Sequence, residues 1–92
     1  MKKVIYQVEF QDPNFSELDF ENSYTTNHLH INQNQLKNQI NAVLNYEKHY
    51  ETDFIMPNCK VIIMADLLDD IGQNVDSFSV EAYCDNKGGL KW

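Results

Sequence analysis

The sequence predicts an α+β fold, a mostly antiparallel three- to five-stranded sheet with one main helix packed on one face, and residues 1–92 are expected to form one domain. Three observations lead there. KKVIYQVEF and SFSVEAYC alternate apolar and polar residues, CKVIIMA is a continuous, largely β-branched run, and INQNQLKNQINAVLNYEKHYE repeats apolar residues at helical spacing.

In KKVIYQVEF, Val4, Tyr6, Val8 and Phe10 share one face, and Lys3, Ile5, Gln7 and Glu9 share the other. Asp12-Pro13-Asn14 ends that strand with turn chemistry. ELDFE alternates again, with Leu18 and Phe20 against Glu17, Asp19 and Glu21, and reads as a second strand or a loop pinned to the core. TNHLHI can continue or replace it, with His28 and His30 on one side. The helix follows. Leu36, Ile40, Val43 and Leu44 form its apolar stripe, Tyr50 extends it, and Asn32 with Gln35 three residues later has the form of a capping box, with Asn34 as a competing cap.

Met56-Pro57-Asn58 marks a break before CKVIIMA, whose apolar character on both sides suits a strand near the middle of a sheet. Two readings then stand open: ADLLDDIG as a short helix ending at Gly72, or the strand continuing through Leu67 and Leu68 into a loop. SFSVEAYC supplies another strand, and DNKGGLKW is turn-like, then anchored or released at Leu90 and Trp92.

The chain carries 14 acidic and seven basic residues, a formal charge of −7. That balance disfavours nonspecific attachment to nucleic acid or anionic lipid and favours a basic partner, although solubility alone explains many such surfaces. The excess is uneven: residues 51–92 hold eight acids against three lysines, and residues 1–31 hold five against two. Cys59 and Cys84 fit neither a CxxC pair nor a dense disulfide framework, so two reduced, partly buried cysteines are expected. MKKVIYQVEF is too polar for a signal peptide and no run approaches a membrane span, so a cytoplasmic location is expected.

The stretch MADLLDDIGQNVD crowds Asp66, Asp69, Asp70 and Asp76 around a short apolar run. It is not an EF-hand, because leucines occupy early ligand positions and no terminal Glu closes the loop. Carboxylates in so polar a run look solvated, which does not suit a catalytic pair with one raised pKa. His28, His30 and His49 match no zinc pattern, Cys84 alternates with core residues, and Lys87-Gly88-Gly89 lacks the spacing of a phosphate loop. The chain has no arginine, and its lysines are dispersed, so no basic patch for nucleic acid exists.

These exclusions leave a non-enzymatic expectation, with no cofactor and no metal. A small acidic protein would bind and inhibit a basic protein or nucleoprotein partner stoichiometrically, placing carboxylates where phosphate would otherwise lie. Asp66, Asp69, Asp70 and Asp76 would carry the contact, joined by Glu17, Asp19, Glu21, Glu51 and Asp53. In size, charge and composition the chain resembles small acidic bacterial and phage proteins that neutralise nucleases or defence complexes, toxin-immunity and anti-CRISPR proteins among them. No motif carries that likeness, so it assigns no role to any residue. A structural or regulatory subunit is the alternative, and a small metal-dependent hydrolase a distant third.

Overall fold

A computed structural model describes residues 1–11, 19–50, 59–84 and 90–92, with the helix beyond Leu44 described by its backbone alone. Its elements are β1 (Lys2–Phe10), β2 (Phe20–Thr26), α1 (Gln33–Tyr50), β3 (Lys60–Leu68), β4 (Asn74–Cys84) and β5 (Leu90–Lys91). The five strands form one sheet in the order β2-β1-β3-β4-β5, every neighbour antiparallel. The fold is therefore α+β, with the helix on one face of the sheet. The turn at Asp12-Pro13-Asn14, the break at Met56-Pro57-Asn58 and the acids Glu17, Glu51 and Asp53 lie outside the described residues.

Alternation decides which face each strand buries. Val4, Tyr6, Val8 and Phe10 of β1, Val61, Ile63, Ala65 and Leu67 of β3, and Ala82 and Cys84 of β4 all turn inward, where Leu36, Ile40 and Leu44 of α1 meet them. β3 lies at the centre of the sheet, as its apolar character predicts. Truncating Leu36 or Ile40, both fully buried, to alanine would cost about 2–5 kcal/mol through lost transfer energy and a residual cavity.

Asn32 is the helix N-cap: its side-chain oxygen accepts from Gln35 N–H at 2.9 Å, and its carbonyl accepts from Leu36 N–H at 3.0 Å. The other half of the capping box does not form, because Gln35 Oε1 instead accepts from the Thr26 hydroxyl at 2.9 Å and ties the helix to the end of β2. At the other side of the sheet, Asn41 accepts from Leu90 N–H at 3.1 Å, and Lys37 lies 5.5 Å from the Trp92 ring centroid. Leu90 is buried, so the C-terminal segment is anchored.

The structure decides between the open readings of the second strand. It runs Phe20–Thr26 and takes Phe20 and Glu21 from ELDFE; Asp19 precedes it and accepts from Phe10 N–H at 2.7 Å, satisfying the donor where the β1–β2 ladder ends, and Glu17 and Leu18 lie outside the described residues. TNHLHI extends no strand beyond Thr26, and Leu29 is 73% exposed. Thr26 accepts from His28 N–H at 3.2 Å, a local bond that turns the chain away from the sheet. Of the two readings after CKVIIMA, the strand continues: β3 runs through Leu68 and enters a tight hairpin at residues 69–73.

Candidate protein-binding surface

The four aspartates of MADLLDDIGQNVD do not form one surface. Asp69 begins the β3–β4 hairpin, where its side chain accepts from Ile71 N–H at 3.0 Å and Gln73 N–H at 2.9 Å, an Asx arrangement that holds the turn. Gly72 adopts φ +86° in that turn, a left-handed conformation that an L side chain enters only with strain. Asp70, on the exposed side of the hairpin, meets the Met1 ammonium at 2.7 Å. The hydrogen bond from that ammonium, then its charge and that of Lys2, hold the Asp70 carboxyl below the usual carboxylate range.

Asp76 lies on the helix side of β4. One carboxylate oxygen accepts from Ser77 N–H at 3.0 Å and the other from Ile31 N–H at 2.8 Å, which fastens the segment before α1 to the sheet. His30 Nδ1 stands 3.8 Å from the same carboxylate. The strand pairing shifts beside it: Leu67 faces Asp76 and Leu68 faces Asn74, leaving Val75 as the extra residue of a bulge. Asp66 points to the opposite face, accepting from Ser77 Oγ at 2.8 Å and Asn74 Nδ2 at 3.1 Å.

Every expected partner-binding acid among the described residues therefore has an intramolecular donor. Glu21 accepts from Gln7 Nε2 at 3.2 Å across the open face, and Asp19 caps β1. Asp19 and Glu21 line one depression, Glu21 and Asp66 lie on the open sheet face, and strand register shows what surrounds that pair. On the sheet face away from α1, one row reads Ser23, Ile5, Asp66, Ser77; the next Glu21, Gln7, Met64, Ser79; the next Glu9, Ile62, Glu81. Among the described residues, the lysines of this face stand in its outer rows, Lys3 beside Thr25 and Leu68 at one end, Lys60 and Lys91 beside Tyr83 at the other.

The middle of this face is thus an apolar diagonal, Ile5, Met64 and Ile62, bordered by four exposed carboxylates: Glu9, Glu21, Asp66 and Glu81. Glu81 also pairs with Lys60 at 3.2 Å, which leaves the other three carboxylates without a described lysine partner. Glu9 and Glu81 were missed as binding candidates. Their outward parity is legible in the sequence, but their neighbourhood depends on β1 lying beside β3.

Shallow, solvent-open depressions on the described surface include one beside Glu9, Asp19 and Glu21, one beside Lys3, Ile5 and Asn22, and one beside Met64, Asp66 and Ser77. None is a deep cleft with converging acid and base. Among the described residues no three His, Cys, Asp or Glu side chains gather as metal ligands, and no helix is long and apolar enough to cross a membrane. No family model, curated protein or solved structure in the comparisons matches the chain.

Proposed function

We propose that this protein is a non-enzymatic interaction module that binds and neutralises a basic protein partner stoichiometrically through the uncovered face of its sheet. The observation that carries the reading is the Ile5–Met64–Ile62 diagonal bordered by Glu9, Glu21, Asp66 and Glu81 on a face that α1 does not cover. An interface needs desolvated apolar contact for affinity, while surrounding charge selects the partner and speeds encounter. This face offers both to a lysine- or arginine-rich protein. A nuclease or another protein of a nucleic-acid-handling defence complex has that chemistry, since the surface that holds phosphate is basic.

The test is affinity capture from bacterial lysate with mass spectrometry, followed by titration of the purified captured protein against wild type and a Glu9→Lys/Glu21→Lys double variant at low and high salt. One-to-one binding to a basic protein, weakened by salt and by at least about tenfold in the folded variant, supports the proposal; about 1.4 kcal/mol corresponds to that factor. Undiminished affinity in the variant refutes it.

A second reading, a subunit of a protein complex, is favoured by one observation. β5 pairs only with Tyr83 and Cys84, so β4 from Asn74 to Ala82 has no outer strand among the described residues. A partner strand added there would bind mainly through backbone hydrogen bonds, and that association would survive high salt.

A further inference from the structure

We infer that Cys59 and Cys84 form a reversible cross-strand disulfide site. The β3–β4 register runs Lys60 against Tyr83 and Val61 against Ala82, so one step outward sets Cys59 opposite Cys84. A backbone bond confirms the step: Cys84 N–H donates to the Cys59 carbonyl at 2.8 Å. Antiparallel residues paired in this way hold their Cα atoms about 5.5 Å apart. Disulfides span about 4.4–6.8 Å between Cα atoms, so the backbone already has the required spacing.

Both side chains lie on the helix side of the sheet. Cys84 is buried in the core, and Cys59 is half-buried and packs against it. Cys59 Sγ makes a weak 3.8 Å contact with the Lys60 carbonyl.

Unequal exposure sets the order of chemistry. The Cys59 thiolate, reachable from solvent, attacks a sulfur of a small disulfide oxidant such as oxidised glutathione; a mixed disulfide forms and one glutathione thiol leaves. Cys84, as its thiolate, then attacks Cys59 Sγ, the bond to glutathione breaks and the second thiol departs. The two protein thiols lose two electrons and two protons, and the oxidant gains both. Because Cys84 also pairs with Leu90, the bond ties β3, β4 and the attached β5 together at the end of the sheet opposite the 69–73 hairpin.

The experiment exposes the native chain to oxidised glutathione, blocks remaining thiols with N-ethylmaleimide, and reads intact mass and linked peptides without reductant. Wild type should lose the mass of two hydrogens, show a Cys59–Cys84 linked peptide, lose alkylation at both sites, and recover both thiols with dithiothreitol. Cys84→Ser should stop at one glutathione adduct on Cys59. The readout on wild type stands even where that variant does not fold. Persistent alkylation of both thiols under excess oxidant, or a wild-type product that stops at the glutathione adduct, overturns the assignment.

Discussion

Replacing Asp76 with alanine tests whether that carboxylate serves the fold. It accepts from two backbone donors at once, Ser77 N–H at the open edge of β4 and Ile31 N–H in the segment leading into α1. The Ser77 donor can turn to water. The Ile31 donor is part-buried, so its loss carries most of the effect. A hydrogen bond to a charged acceptor contributes about 1.5–3 kcal/mol. With the Asp76 side chain 30% exposed, the lower end of that range applies, about 1.5–2 kcal/mol. For a domain of this size the corresponding drop in Tm is about 6–16 °C.

Asp76→Asn provides the control. Its amide oxygen still accepts from Ile31 N–H as a neutral partner, so about half of the loss should remain. Urea denaturation of the three proteins gives the stabilities, and amide exchange at Ile31 locates the effect. An alanine variant within about 0.5 kcal/mol of wild type, or an asparagine variant as damaged as alanine, would refute the tether. The result also bears on binding experiments. A simultaneous Asp66, Asp69, Asp70 and Asp76 replacement would weaken the fold and the surface together, whereas Glu9 and Glu21 sit at exposed strand positions.

Two further outcomes follow from single groups. Tyr24 has a buried hydroxyl with no hydrogen-bond partner among the described residues, so Tyr24→Phe should be neutral or stabilising by about 1 kcal/mol in urea denaturation; a loss of similar size would show that the hydroxyl is satisfied. In the wild type, burial and then the neighbouring Tyr6 push the Tyr24 phenol up to about 12, so an ultraviolet absorbance titration should lose its highest tyrosine transition in Tyr24→Phe. For Asp70, the folded carboxyl titrates below its unfolded value, so its pairing with the Met1 ammonium is present at neutral pH and is lost as pH falls through the depressed folded value. An NMR titration should show that depression, and acetylation of the Met1 amine should return Asp70 to the ordinary range. An unchanged value after acetylation would refute the pairing.

Local pattern was enough to identify β1, the body of α1, the centre of β3 and most of β4, because alternation and helical spacing state directly which side chains are apolar together. Asn32 was readable as a cap for the same local reason. The start of β2 was not, since the alternation of ELDFE passes through Asp19 into Phe20 without a break, whereas Asp19 serves as an acceptor for β1, a contact nine residues away in sequence. Val75 shows the same limit: the alternation of SFSVEAYC identifies its strand, but the bulge that begins it depends on pairing with β3.

The α+β class, the helix with its cap, the buried faces of β1, β3 and β4 and the net charge of −7 are legible in the chain alone. What surrounds each acid is not. A carboxylate at a given position in the chain is indifferent to its use until strand order supplies its neighbours: Asp69 and Asp76 meet backbone donors, Asp70 meets an ammonium, and Glu9, Glu21, Asp66 and Glu81 converge around Ile5, Met64 and Ile62. The physical reason is range. Secondary structure is set by neighbours a few residues apart, whereas a surface is assembled by hydrogen-bonded pairing between strands far apart in the chain, and β1 beside β3 is that pairing here.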